Sequence, residues 1–174
     1  THNHWDHSSG NIKLHKAVSS IERVYGGVGD DVPGATHEVD DGDSFTIGEK
    51  TSVKVLFTPC HTPGHVCYHV DDAHVFTGDT MFISGCGNFN TGTPLQMTEA
   101  FDKILSLQDH TKVWVGHEYT AKNCAFACFC EPNNENLKKR HEWAKGMGSM
   151  HTGGEGTIPA TIAEAKEHNP FARN

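Results

Sequence analysis

The sequence has few features that would suit a membrane or a nucleic acid. Across its 174 residues, no apolar run approaches the ~20 residues that a membrane-spanning helix needs. Acidic residues outnumber basic ones by 22 to 14, which gives a net charge of −8. Nucleic-acid binding usually requires a basic face, so we expect neither a nucleic acid nor a membrane as a partner. We interpret the basic cluster Lys138-Lys139-Arg140 as a solvated helix face.

The sequence also lacks a paired-cysteine motif. Six cysteines occur, but none forms a C-x-x-C pair, which argues against a thiolate zinc site. Cys124, Cys128 and Cys130 are spaced to share one helix, where a free cysteine packs as a small hydrophobic residue. We therefore expect six reduced thiols and a cytoplasmic protein, with a mitochondrial location as the alternative.

The hydrophobic pattern of the first half predicts short strands. Residues 1–10 are expected to be extended before a turn, and Asn11 is expected to cap a helix over residues 12–20. Hairpin turns are predicted at Asp41-Gly42-Asp43 and at Val70-Asp71-Asp72-Ala73. The predicted strands cover residues 23–25, 37–39, 44–47, 53–57, 66–70 and 74–77.

Helices dominate the second half of the pattern. Thr93-Pro94-Leu95-Gln96 is typical of a capping box with Pro at the first helical position, and a last helix is expected to begin at Thr161. Between them we expect a strand over residues 112–115, helices over 120–130 and 134–146, and a flexible loop over 146–156. Strands followed by helices predict an α+β, or layered α/β, fold.

Histidine is unusually frequent, with 14 residues, and three of them stand in the first motif. His2-Asn3-His4-Trp5-Asp6-His7 places four groups able to bind a metal within six residues. In an extended segment, residues 2, 4 and 6 share one face, and a turn at Ser8-Ser9-Gly10 would allow His7 to join them. The alternative interpretation is a polar turn whose histidines bind nothing.

Three further motifs share one pattern, in which an apolar strand-like run leads to a side chain able to bind a metal. Taken singly, each is more often a loop histidine bonded to backbone, a helix or turn cap, or a capped strand end. The motifs are Thr58-Pro59-Cys60-His61, Phe76-Thr77-Gly78-Asp79 and Val113-Trp114-Val115-Gly116-His117.

Taken together, the four motifs favour a site for two metal ions. Neutral imidazole and carboxylate suit Zn, Fe or Mn, and no thiolate is needed. A carboxylate can bridge two cations about 3.5–4 Å apart, the spacing of two-metal hydrolases. We expect two divalent ions, Zn first with Fe or Mn as alternatives, and His65 could support a ligand from behind. The seven candidate ligands are His2, His4, Asp6, His7, His61, Asp79 and His117.

With these four motifs, the sequence resembles the metallo-β-lactamase superfamily, and within it the glyoxalase II, or hydroxyacylglutathione hydrolase, family. Three features favour glyoxalase II over its relatives: Trp5, Gly85-Cys86-Gly87 and Gly116-His117-Glu118-Tyr119-Thr120. The resemblance covers nearly the whole chain and implies a four-layer αβ/βα sandwich, with the metals at the edge between two sheets. Residues 1–174 are therefore expected to form one metallo-β-lactamase-like domain.

The resemblance also implies how the ligands divide and what they do. One metal would be held by His2, His4 and His61, the other by Asp6, His7 and His117, and Asp79 would bridge them. A metal-bound hydroxide held by these residues would attack the carbonyl of a thioester such as S-D-lactoylglutathione, releasing D-lactate and the thiol. The implied partner is a small-molecule thioester, and the oligomeric state stays open.

The sequence departs from the family pattern in three places. The strands that usually precede the first motif and the basic helical region beyond Asn174 are missing, so we expect a longer natural chain. Asn88 and Asn90 stand at substrate-binding positions that are usually Lys and Tyr. Tyr119, expected to contact the thiol, is present. These replacements lead to the hypothesis of weaker or altered thiol recognition.

Two other interpretations stay open. A persulfide dioxygenase of the same superfamily would use one iron, so metal stoichiometry and oxygen dependence would separate it from a hydrolase. A structural or assembly subunit would bind metal but hydrolyse no thioester. A β-lactamase or lactonase is disfavoured by Gly116-His117-Glu118-Tyr119.

Overall fold

The computed structural model describes residues 1–147 and 155–173. Strands fill most of its first half and helices most of its second, as predicted. The helices are α1 (Trp5–Ser8), α2 (Asn11–Ala17), α3 (Pro94–Leu105), α4 (Thr120–Cys130), α5 (Glu135–Met147), α6 (Ile162–His168) and a 3₁₀ turn (Pro170–Ala172). The strands are β1 (Tyr25–Gly27), β2 (His37–Val39), β3 (Ser44–Ile47), β4 (Thr51–Phe57), β5 (Val66–Val70), β6 (His74–Gly78), β7 (Met81–Phe82), β8 (Gly85–Cys86), β9 (Lys112–Val115) and β10 (Ala160–Thr161).

A mixed sheet of six strands lies at the centre, in the order β10-β9-β6-β5-β4-β3. Strands β3 to β6 are successively antiparallel, and β9 joins β6 in parallel. Strands β4, β6 and β9 therefore run in the same direction, and their carboxyl ends lie along one edge of the sheet. Strands β1 and β2 form a separate parallel pair, and β7 and β8 an antiparallel one.

Hydrophobic clusters cover the two faces of the sheet. Because successive strand residues point to opposite faces, Leu56 packs into one cluster and its neighbour Val55 into the other. The first cluster joins the sheet to α3 and α6 through Leu56, Cys67, Val75, Met97, Phe101, Ile104, Val113 and Ile162. The second contains Val39, Val55 and Val66, with the aromatic rings of Tyr25, Phe45, Phe57 and Tyr68 against it. Helices packed on a mixed sheet confirm the α+β prediction.

The bounds of several helices and strands were predicted correctly from local sequence patterns. Strands β2, β3, β5 and β9 and helix α4 match the predicted bounds residue for residue. Thr93 and Thr161 each form the expected capping box. Residues 70–73 form the hairpin between β5 and β6, with Asp71 and Asp72 at the positive φ values that such turns need.

The predicted conformation around the first motif was wrong. Residues 5–8 form α1 instead of an extended segment, because the amides of His7 and Ser8 both donate to the carbonyl of His4. The hydroxyl of Ser8 closes the turn by donating to that same carbonyl. Asn11 does not cap α2 but lies inside it, and its side-chain amide donates to the carbonyl of Pro33.

Other differences come from pairing between distant segments. The turn at Asp41-Gly42-Asp43 is no hairpin, because β2 pairs with β1 and β3 pairs with β4. The strand expected at residues 23–25 begins only at Tyr25, and the two-residue strands β7 and β8 were not predicted. Most of the loop predicted over 146–156 lies outside the described residues.

The cysteines and the apolar character of the helices were also the subject of expectations from the sequence. Cys124, Cys128 and Cys130 lie together in α4 as predicted, and all six cysteines are unpaired. Within residues 1–147 and 155–173, no helix has the length and apolar character to cross a bilayer.

Candidate metal centre

Three of the predicted ligands stand on loops that follow parallel strands of the sheet. His61 follows β4, Asp79 comes directly after β6, and His117 follows β9. Because β4, β6 and β9 end at the same edge, the sheet brings together side chains that are far apart in the sequence. The repeated pattern of strand followed by ligand therefore has a topological basis.

The first motif reaches the same edge from the start of the chain. His2 and His4 precede α1, whereas Asp6 and His7 lie within it. The helical turn directs Asp6 and His7 to a different position from the two earlier histidines. The motif thus supplies side chains to two separate clusters. An extended segment would have directed residues 2, 4 and 6 to one face.

His2, His4 and His61 form the first cluster. Nδ1 of His4 lies 3.1 Å from Nε2 of His2 and 3.1 Å from Nε2 of His61. A proton on His4 can lie along only one of these two contacts. Three nitrogens bound to one cation at about 2.0–2.1 Å would stand roughly 3.3 Å apart in tetrahedral geometry. The observed spacing therefore fits a metal ion better than a hydrogen-bond network.

Asp6, His7 and His117 form the second cluster. The Nε2 atoms of His7 and His117 are 3.2 Å apart. Oδ2 of Asp6 lies 3.4 Å from Nε2 of His117 and 3.8 Å from that of His7. Two imidazole nitrogens and one carboxylate oxygen thus converge, a donor set suited to a divalent cation.

Asp79 lies between the two clusters. Its Oδ1 is 3.4 Å from Nε2 of His7, and its Oδ2 is 3.5 Å from Nε2 of His61 and 3.3 Å from Nε2 of His117. Oδ1 is buried without a hydrogen bond of acceptable geometry, which is costly for a carboxylate in a protein interior. A cation on each side would satisfy both oxygens.

The site favours the protonation states in which these groups bind metals. Burial lowers the pKa of His2 from 6.5 to about 3, and the charge of His7 adds to this effect. Burial likewise lowers the pKa of His61. For Asp79, burial alone would raise the pKa, but the close imidazoles of His7 and His117 outweigh it and lower the pKa. Neutral imidazole and ionised carboxylate are the forms that coordinate cations.

Hydrogen bonds behind the site fix the orientation of two ligands. Nδ1–H of His61 donates to the carbonyl of Asn88 at 3.0 Å, which leaves Nε2 of His61 free to face the cluster. The backbone N–H of Asp79 donates to Nε2 of His65 at 3.2 Å. His65 is completely buried, so the structure places it where the sequence suggested support for a ligand.

Two threonines that the sequence analysis missed complete this support. Nδ1 of His65 is 2.9 Å from Oγ1 of Thr58 and 3.0 Å from Oγ1 of Thr80. Because Nε2 of His65 accepts from the Asp79 amide, Nδ1 carries the ring proton, and this single proton donates to one of the two hydroxyls. Both threonines border motifs that the sequence analysis singled out, but no sequence pattern shows which hydroxyl faces a buried ring.

The glycine before His117 permits a close approach. A Cβ atom at Gly116 would lie 2.3 Å from Oδ1 of Asp79 and 3.0 Å from Cε1 of His7. Any larger residue would therefore displace the carboxylate.

The predicted substrate-contacting residues lie around the first and second clusters. Tyr119 stacks on the ring of His117, with centroids 5.0 Å apart, and is 46% exposed. Asn88 touches His61 through its backbone carbonyl, and Nδ2 of Asn90 lies 3.5 Å from the same Nδ1 atom. Trp5 follows His4 directly and is 78% exposed. The site is therefore bordered by aromatic and amide groups that solvent can reach.

Comparison with known proteins agrees with this geometry. Residues 1–117 match the model of the metallo-beta-lactamase superfamily, and residues 118–174 match that of the hydroxyacylglutathione hydrolase C-terminus. A cytoplasmic hydroxyacylglutathione hydrolase from Arabidopsis thaliana is 44% identical, with 99% of this chain and 68% of the relative aligned. A hydroxyacylglutathione hydrolase from Maricaulis maris is 38% identical over 99% of this chain and 66% of its own length.

Among solved structures, ETHE1 from Myxococcus xanthus aligns with a TM-score of 0.69 and 27% identity, over 99% of this chain and 60% of that one. The fold and the family match define a member of the metallo-β-lactamase superfamily. Within that superfamily, the chain belongs to the hydroxyacylglutathione hydrolases, a family of thioester hydrolases. It spans about two thirds of the length of these curated relatives.

Proposed function

We propose that the protein hydrolyses a thioester of glutathione or a related thiol, converting S-D-lactoylglutathione to D-lactate and the free thiol. The observation that carries the proposal is the position of Asp79, whose two oxygens face imidazoles of both clusters. One carboxylate is thus placed to serve two cations, as a two-metal hydrolase requires. The names of the Arabidopsis and Maricaulis relatives support the substrate class.

Two divalent cations are proposed to bind, one at His2, His4 and His61 and one at Asp6, His7 and His117, with Asp79 shared. The donor set contains no thiolate, so it suits Zn, with Fe and Mn as alternatives. Divalent cations held by these residues would lower the pKa of water and polarise a carbonyl oxygen. No side-chain nucleophile is then required, which agrees with the high pKa values that burial gives to the thiols of Cys60 and Cys86.

The residues of the chain hold the site ready for the substrate. His65 fixes the backbone of Asp79, and the carbonyl of Asn88 fixes the ring of His61. These contacts orient two of the proposed ligands, which reduces the reorganisation needed when the substrate binds. The exposed ring of Tyr119, beside His117, is placed to contact the thiol portion of the substrate.

Thiol recognition is proposed to be weaker than is usual in the family. Asn88 and Asn90 are exposed and stand where Lys and Tyr usually bind glutathione, and an amide offers the glutathione carboxylate no positive charge. We expect Asn88→Lys to lower KM for S-D-lactoylglutathione several-fold with little change in kcat. An ordinary, low-micromolar to submillimolar KM in the unmodified protein would contradict this part of the proposal.

The partner is proposed to be this small-molecule thioester, and the oligomeric state stays open. A cytoplasmic location is proposed as well. It is supported by the name of the Arabidopsis relative and by the six unpaired cysteines, which persist in a reducing compartment.

Absorbance assays of S-D-lactoylglutathione hydrolysis, with zinc-loaded protein, test the proposed activity. His4→Ala removes a nitrogen that contacts both His2 and His61, and we expect it to abolish turnover. His110→Ala is the matched control, because His110 is an exposed histidine outside both clusters. Bound metal without turnover would refute the thioesterase activity and favour a structural subunit, whereas oxygen-dependent activity with one iron would favour a dioxygenase.

A further inference from the structure

Asp30 is a buried acidic residue that no motif in the sequence marked. It lies in the turn that follows β1, and only 1% of its surface is exposed. Its Oδ2 accepts the backbone N–H of Asn3 at 2.6 Å, and its Oδ1 accepts the backbone N–H of Gly64 at 3.1 Å. Each carboxyl oxygen thus binds a different segment of the chain.

Those two segments carry all three imidazoles of the first cluster. Asn3 stands between His2 and His4, and Gly64 lies in the loop that follows His61. The segments also meet through the amide of Val66, which donates to the carbonyl of Thr1. The hydrogen bond from Asn3 to Asp30 lies nearer to the ligands, because Asn3 is the residue between His2 and His4 in the chain.

The turn that contains Asp30 sits directly against the Gly64 loop. A Cβ atom at Gly27 would lie 1.9 Å from the carbonyl oxygen of Gly64, and one at Gly64 would lie 2.3 Å from the carbonyl oxygen of Val28. The backbones are in contact with no side chain between them. This contact holds the Asp30 carboxyl group at a fixed distance from the loop after His61.

We propose that Asp30 is a positioning residue that sets the separation of the His2–His4 segment from His61, and so the affinity of the first cluster for its metal ion. The inference rests on the proposed two-metal site. Asp30 touches neither ion nor substrate, and it acts by holding two backbone segments. A residue that served only the stability of the fold would alter the binding of both ions equally.

Asp30→Asn tests this with almost no change in volume. Asparagine has one acceptor oxygen, so one of the two N–H groups would face an amide N–H₂ instead. We expect the affinity for one metal ion to fall 10–100-fold, the usual effect of losing a group that orients metal ligands, while the other ion binds within about two-fold of normal. Asp31→Asn is the matched control, because Asp31 is exposed and asparagine tolerates its positive φ.

Zinc affinities would be measured by competition with a chromogenic chelator, without any assay of turnover. His4→Ala and His117→Ala identify which ion belongs to which cluster. The proposal requires the ion weakened by Asp30→Asn to be the ion lost in His4→Ala. Equal weakening of both ions, or of neither, would overturn it. A wild-type protein that binds fewer than two ions would instead overturn the proposed two-metal function, before any Asp30 variant is considered.

Amide hydrogen exchange in the unmodified protein gives a second test, which does not depend on whether a variant folds. The amides of Asn3 and Gly64 should stay protected after the metal is removed, because Asp30 holds them whether or not an ion is present. Loss of protection at both amides in the metal-free protein would mean that the metal organises these segments, and that Asp30 does not.

Discussion

Adding one methyl group beside the proposed bridging carboxylate should disrupt the metal centre and leave the fold intact. In Gly116→Ala the new Cβ would lie 2.3 Å from Oδ1 of Asp79. Ordinary van der Waals contact for a Cβ begins at 3.4 Å, so the carboxylate must move by roughly 1 Å. A displacement of that size typically costs on the order of 100-fold in rate. Gly116 does not have a positive φ, so alanine can adopt its backbone conformation, and the closest contact of the new Cβ is with the carboxylate.

The variant would be assayed for bound zinc, for kcat/KM and for thermal unfolding. We expect kcat/KM to fall about 100-fold, with a weakened second ion and little change in the unfolding temperature of the metal-free protein. Gly146→Ala is the control, since its Cβ would meet nothing within 4 Å. A Gly116→Ala protein that bound both ions with normal affinity and turned over normally would refute the position inferred for Asp79.

Two further predictions concern stability. Phe101 lies in α3, is 2% exposed and packs into the core. Phe101→Ala should therefore lower the free energy of unfolding, measured by urea denaturation, by about 3–5 kcal/mol. A loss under about 1 kcal/mol would contradict this packing. His2 has a pKa of about 3 in the fold but about 6.5 when unfolded. Between these values the unfolded chain binds more protons, so the metal-free protein should lose stability as pH falls below about 6.5, by up to about 1.4 kcal/mol per pH unit. A urea midpoint that stayed constant from pH 7 to 5 would contradict this.

The sequence predicted best those features that depend on neighbouring residues. The capping threonines Thr93 and Thr161 were found because a cap and its partner are three residues apart. His61, Asp79 and His117 were singled out because each follows an apolar run, whereas the first motif was singled out by the density of its histidines. Helix α1 was missed because histidine and tryptophan carry little helical preference, and the turn depends on a hydroxyl bond from Ser8 to a nearby carbonyl.

Features that depend on distant segments could not be predicted in the same way. The parallel pair β1–β2 joins strands too short to show periodicity, so Asp41-Gly42-Asp43 was mistaken for a hairpin. Asp30 left no signal at all, because its partners are backbone amides, and any residue other than proline supplies a backbone amide. A buried carboxyl group that binds backbone can only be found once the backbone is folded.

The proposed division of the ligands between two cations would follow from strand direction. The chain reverses at each hairpin from β4 to β6, so His61 and Asp79 stand at the same edge with one strand, β5, between them. Strand β9 then joins β6 in parallel and brings His117 to the other side of Asp79. The aspartate is thus placed between the two histidines by sheet order alone. An aspartate that followed the carboxyl end of β5, which runs the opposite way, would lie at the far edge and could not contact both histidines.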